Sequence, residues 1–124
     1  MIDLDEVENI HKILIDHFGG VHGLRDHTAL DSALKRPFQT FNNADLYPTI
    51  LEKASALTES LLINHPFIDG NKRVAYTVLR LYLLENGYDF CASQDEKYAF
   101  IVNLASGKIK YQQALIWLKN NTPN

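Results

Sequence analysis

Asn64-His65-Pro66-Phe67-Ile68-Asp69-Gly70-Asn71-Lys72-Arg73 gathers an imidazole, a carboxylate, two amides and two cations into one short stretch. Its reading decides the fold, because it holds both a helix end and a helix start. Pro66 disfavours the helical region for His65 and so ends the helix before it, while Gly70 permits a turn that a side chain would obstruct. A new helix is expected to start near Asn71. The N–H groups of Gly70, Asn71, Lys72 and Arg73 fall at that start, where the helix dipole adds partial positive charge and two cationic side chains stand close by. On this reading the stretch is an anion site, suited above all to phosphate.

Each side chain admits a chemical role and a plainer one. His65 can take a proton from an attacking hydroxyl, imidazole being the side chain that titrates nearest neutral pH; a helix-terminal His bonded to backbone is the plainer account. Asp69 offers a hard oxygen that suits Mg2+ shared with nucleotide phosphates, and the same residue type in the same place serves as a helix N-cap. Lys72 and Arg73 can neutralise a transferring phosphate, Arg through a planar fork and Lys as a movable point charge, or can stand as solvated surface cations. The coincidence of these groups in one loop favours the chemical readings taken together. Neither Gly-x-x-x-x-Gly-Lys-Ser/Thr nor Gly-x-Gly-x-x-Gly occurs in the chain, so phosphate chemistry here needs an architecture other than a P-loop or a dinucleotide fold.

The run from His65 to Arg73 resembles the signature of Fic proteins, whose common reaction moves adenosine monophosphate from ATP to a target hydroxyl. Two departures narrow the match: Lys72 stands where adenylylating members carry Gly, and Tyr76 stands where they carry a second Arg. Both are those of the death-on-curing (Doc) branch. Gly19-Gly20, Gly23-Leu24-Arg25-Asp26, Leu30-Asp31-Ser32-Ala33-Leu34-Lys35-Arg36-Pro37, Leu46-Tyr47-Pro48-Thr49 and Leu83-Leu84-Glu85-Asn86-Gly87-Tyr88 also look like segments of that branch. The resemblance runs from about Val7 to about Leu118. It implies a toxin that uses ATP and Mg2+ to transfer the terminal phosphate to a threonine of elongation factor Tu, stopping translation. In roles, it makes His65 the base, Asp69 the magnesium ligand, and Gly70, Asn71, Lys72 and Arg73 the phosphate cradle, Lys72 and Arg73 acting also in catalysis. Fic proteins that restrain themselves carry Ser/Thr-x-x-x-Glu-Gly/Asn. Here Leu81-x-x-x-Glu85-Asn86 departs at its first residue and Ser55-x-x-x-Glu59-Ser60 at its last, which implies a separate antitoxin chain whose helix presents an acidic residue to Arg73.

A chain of 124 residues is of a size to bury one core and is read as one domain, 1–124. Its 46% hydrophobic and 22% charged residues are those of a soluble globular protein, and a net charge of −3 gives no general attraction to nucleic acid or acidic membranes. Cys91 stands alone, which excludes an intrachain disulfide and reads as a buried thiol in a reducing cytoplasm. Met1 to Glu6 shows no basic n-region and no apolar run follows; no apolar stretch approaches the roughly 18–20 residues of a membrane span. A cytoplasmic protein with no signal peptide is expected.

Around the loop the periodicity predicts about six helices. Leu4, Val7, Ile10, Leu14 and Phe18 form a stripe closed by Gly19-Gly20, with Asp3, Asp5, Glu6 and Glu8 at the positive end of the dipole. His11, His17, His22 and His27 share no face, which argues against a metal site there. Thr28-Ala29-Leu30-Asp31 reads as a capping-box-like start of a short helix that Pro37 closes. Phe38, Thr40 and Phe41 ahead of Asn42-Asn43 fit a small hairpin, because Asn tolerates positive φ. In Fic-like folds such a flap lies beside the motif and holds the target by strand addition.

Pro48 opens a helix through Asn64 that carries Ile50, Ala54, Leu57 and Leu61 on one stripe. Val74 to Leu84 is apolar nearly all round and is expected to be the central helix, ending at Gly87. Ser93-Gln94-Asp95-Glu96 is a capping box for a helix that buries Phe100, Ile101 and Leu104 and stops at Gly107. Tyr111 to Asn120 packs Ala114, Leu115 and Leu118, Trp117 sits in the core or at its rim, and Thr122-Pro123-Asn124 is expected to fray.

The expectation is an all-α bundle of about six helices with a short flap hairpin, acting as an ATP:protein phosphotransferase on a Thr or Ser hydroxyl. The same base and anion site also support adenylylation of a protein hydroxyl. An intact fold without catalysis would serve as a binding module, although such a module has no need of His65 and Asp69 together. Direct nucleic-acid binding is not expected, since no basic recognition helix is present.

Overall fold

The computed structural model describes residues 2–123. In chain order it comprises α1 (Leu4–Phe18), α2 (His27–Lys35), the hairpin strands β1 (Thr40–Phe41) and β2 (Ala44–Asp45), α3 (Ile50–Asn64), α4 (Asn71–Glu85), α5 (Gln94–Ala105) and α6 (Tyr111–Asn121). This is the all-α bundle that the patterning implies, with the short flap that the resemblance implies.

Local chemistry explains most of the boundaries. Side-chain oxygens of Asp3, Asp26, Thr49 and Ser93 accept first-turn N–H groups of α1, α2, α3 and α5, and Ser93 and Glu96 complete the capping box. Two caps differ from expectation. Asp26 rather than Thr28 starts α2, and Thr49 caps α3 with Pro48 lying one residue outside it. Pro37 does more than close α2: the chain continues through one 3-10 turn, Arg36–Phe38, that the fixed φ of proline suits. Asn42 and Asn43 take φ of 52° and 62°, the left-handed pair that a two-residue hairpin needs, and Thr40 pairs with Asp45 and Phe41 with Ala44.

The enclosed helix is α3, not α4. It packs against α2, the 3-10 turn, α4, α5 and α6, and Lys53, Ala54, Ser55, Ala56, Leu57 and Thr58 are buried in succession. The small residues among them permit close approach on several sides. The buried hydroxyls are satisfied, Ser55 donating to the Tyr111 carbonyl and Thr58 to that of Ala54, each at 2.8 Å. By contrast α4 buries one stripe, Val74, Ala75, Val78, Leu79, Tyr82 and Leu83, and leaves Leu81 and Leu84 43% and 46% exposed. Apolar composition overstated its enclosure, because folded surfaces keep many apolar side chains.

Three further expectations change. The buried face of α1 is Val7, His11 and Ile15, and Phe18 is 60% exposed. Cys91 is exposed, although its N–H is tied to the Asn121 carbonyl at 2.7 Å. Thr122 does not fray: it is buried and donates its hydroxyl to the Leu118 carbonyl. Asn124 lies outside the described residues. Trp117 stacks on Phe100 at 4.1 Å, half-buried at the rim of the core.

The flap is anchored at its root. Lys53 binds the Asp45 carboxylate at 3.0 Å and the Tyr47 carbonyl, while Arg36 reaches Glu59 at 2.8 Å, Ser60 at 3.0 Å and the Tyr47 hydroxyl at 3.1 Å. Lys53 lies in the first turn of α3, whose 15 residues span roughly 22 Å, and His65 follows the last turn. Leu57→Ala on α3 is expected to cost about 2–5 kcal/mol in urea unfolding, and Leu81→Ala on the outer face of α4 under about 1 kcal/mol. Equal losses would return α4 to the centre of the bundle.

Candidate active site

The motif loop is held from both ends. His65 caps α3 in the left-handed region, at φ 49° and ψ 57°, so Pro66 does turn it out of the helix. The segment after α1 then runs against the loop. Leu24 bridges Phe67, the Pro66 carbonyl accepts from Arg25 and Asp26 at 2.7 and 3.1 Å, and Ile68 N–H donates to Gly23 at 3.0 Å. The Arg25 guanidinium donates to the carbonyls of His65 and Asn64, both at 2.7 Å. Within the loop, the Asn71 amide accepts from Phe67 N–H and donates to Phe67 C=O, each at 2.9 Å. Phe67 itself is 1% exposed.

Asp69 sits between two backbone donors, Val21 N–H at 3.0 Å and Gly70 N–H at 2.8 Å. Those two bonds, Val21 first, hold its carboxyl below the ordinary value, helped by the charges of Arg73 and His11. It is therefore not the N-cap of α4. That position belongs to Gly70, at φ 79°, where a Cβ would meet Ile15 Cδ1 at 3.1 Å. Gly20 is needed for a different reason: a Cβ there would stand 2.7 Å from an Asp69 carboxylate oxygen. Behind the loop, His11 stacks on Phe67 at 3.9 Å and its Nε2 meets the Asp69 carbonyl at 2.8 Å. A carbonyl can only accept, so this contact assigns the ring hydrogen to Nε2.

A pocket of about 920 Å3 opens over this loop, flanked by α1 and α5. His65, Asp69, Gly70, Asn71, Lys72 and Arg73 all line it, and His65, Lys72 and Arg73 are exposed. Among the described residues the His65 ring makes no hydrogen bond, and neither Lys72 nor Arg73 pairs with a carboxylate. The Arg73 guanidinium lies 4.7 Å over the Phe18 ring. Two of the expected cradle contributions are used internally: Gly70 N–H by Asp69, and both sides of the Asn71 amide by Phe67. What α4 offers the pocket is the first-turn N–H groups of Asn71, Lys72 and Arg73, for which no acceptor is found among the described residues.

Sequence reasoning gave no role at the site to His11, Gly20 or Arg25. Gly20 carried a signal, since one glycine suffices to end a helix, and Arg25 stood in a segment that resembles the Doc branch. None of the flap residues lines this pocket.

Fold and pocket together define a class: a helical bundle whose motif loop turns a positively charged helix start and an exposed imidazole into one cavity. The Fic/DOC family model matches residues 1–83, and the chain belongs to that family. It is 42% identical over 78 residues to Toxin Doc of Mycolicibacterium smegmatis, a stretch that covers 63% of this chain and 60% of that protein. No described helix is long and apolar enough to cross a membrane.

The Asp69 carboxyl has its folded pKa lowered, so its stabilising effect is full above the ordinary value of 3.8 and is lost as pH falls through the lowered folded value. Asp69→Asn should melt below the parent near neutral pH, with the gap closing below that ordinary value. A gap that stays constant into acid would show that the charge does not hold the two loops together.

Proposed function

We propose that this chain is the toxin of a toxin–antitoxin pair and a protein phosphotransferase, moving the terminal phosphate of ATP to a Thr or Ser hydroxyl of a protein target. The resemblance to Doc points to elongation factor Tu as that target, and the similarity to Toxin Doc supports the toxin reading. The observation that carries the proposal is the convergence of an exposed imidazole, two cations without carboxylate partners and three first-turn N–H groups on one pocket.

In this reaction His65 removes the proton from the target hydroxyl, whose oxygen forms a bond to the γ-phosphorus. The bond from that phosphorus to the bridging oxygen breaks, and ADP leaves with the electron pair. Lys72, Arg73 and the α4 N–H groups stand ready to offset charge on the phosphate oxygens throughout, without reorganisation. Asp69 fits a magnesium role. It is exposed, each of its oxygens accepts one N–H and keeps a lone pair, and one carboxylate together with phosphates and waters is how this ion is commonly held. Bound there, Mg2+ would supply charge neutralisation and orientation of the phosphates. An extended target segment can add to an edge of the flap, whose strand residues are all exposed, and an antitoxin helix would shield Arg73.

His65→Asn, chosen because Asn tolerates the left-handed backbone, is expected to lower transfer about 10²- to 10⁴-fold with thermal unfolding unchanged. The deciding assay supplies ATP labelled at either the α or the γ phosphorus, with Mg2+, to purified chain and elongation factor Tu. Label reaching protein from the γ position supports the proposal. Label from the α position alone would replace it with adenylylation, and no label from either would leave a binding module.

A further inference from the structure

The pocket has a charged wall that the motif does not supply. α5 contributes Gln94, Lys97 and Tyr98 to the lining, and α4 faces them with Tyr76 rather than a cation. Lys97 is half-buried, with its ammonium 5.8 Å from the Tyr76 ring and 5.9 Å from that of Phe90. Those two rings stack on each other with planes 13° apart, and the lysine lies within cation–π reach of both. Asp89, a carboxylate that the Lys97 charge reaches, is committed to Arg80 at 3.3 Å and to Phe90 N–H at 2.7 Å. Among the described residues Lys97 forms no salt bridge. Its ammonium stands near two aromatic rings at the wall of the cavity, with no carboxylate partner there to cancel its charge.

Positive charge therefore enters the pocket from two separate elements. One cluster is Lys72, Arg73 and the N–H groups at the start of α4; the other is Lys97 on α5. A single phosphate or carboxylate satisfies the first cluster alone, whereas an extended polyanion can meet both. We propose that Lys97 binds the polyphosphate chain of the nucleotide, holding a phosphate distinct from the one at Lys72 and Arg73, and so selects triphosphate over monophosphate. The assignment rests on the nucleotide reading of this pocket.

The test is calorimetric titration of ATP, AMP and adenosine, with Mg2+, into the parent chain, Lys97→Met and Lys97→Arg. Lys97→Met should weaken ATP about tenfold or more, as expected for loss of one charge-assisted contact, and leave AMP and adenosine within about twofold of the parent. Lys97→Arg should keep most of the ATP affinity. Unchanged ATP affinity in Lys97→Met would overturn the assignment, and so would an equal loss for all three ligands, which would mark Lys97 as a packing residue. A parent that binds no ATP would overturn the nucleotide reading itself and this assignment with it.

Discussion

One side-chain amide sets the geometry on which the pocket depends. Asn71 closes both backbone polar groups of Phe67, and Phe67 is sunk in the core. Left unpaired there, each group would cost about 1–3 kcal/mol. With the amide in place, the loop between Pro66 and Gly70 has one low-energy path, and α4 must begin where it does. The first-turn N–H groups of α4 then find no acceptor among the described residues. Phosphoryl transfer asks a protein chiefly for fixed placement of charge and reactants, and here the placement derives from a residue whose side chain faces the loop, not the cavity.

The same principle runs through the neighbouring segment. Arg25 holds the carbonyls on either side of the α3 C-cap, His11 supports the Asp69 carbonyl from below, and Val21 supports its carboxylate from the side. None of the three needs to touch a substrate, yet together they fix His65 and Asp69 relative to each other. The backbone bonds to Asp69 also have a chemical consequence. They favour its ionised form, the form that the proposed magnesium role would need.

Much of the fold was legible because it is written locally. The cap at Ser93, the Asn42-Asn43 turn and the stop at Pro66 each depend on residues within four positions of one another. The errors arose where the deciding partner is remote. The apolar run of α4 suggested enclosure, but it is the small residues of α3 that let neighbours close in on several sides. Cys91 and Thr122 were misjudged because the burial of a single small residue follows from packing and leaves no periodic trace. At the site, residue types pointed to an anion pocket, but not to the bonds that the loop makes within itself. Asn71 and Gly70 were assigned to phosphate from their position, yet the amide of one and the N–H of the other are taken inside the loop. His11 and Val21 meet Asp69 across 58 and 48 positions, a separation no spacing rule can reach.

This internal use of polar groups narrows what the motif can do alone, and it gives Phe18 a reason for its exposure. A large aromatic residue at the end of α1 would be expected to bury itself, but it lies open beneath the Arg73 guanidinium. A planar cation resting on a ring is held by its face, which leaves its edge, where the N–H donors are, free for oxygen atoms. A carboxylate partner would orient the same guanidinium at least as firmly while cancelling its charge and occupying its donors. An aromatic platform orients it without either loss. Under the proposed function, a pocket that attracts an anion and then releases a product gains from a neutral support under Arg73, and α1 places an exposed ring where it meets the cavity.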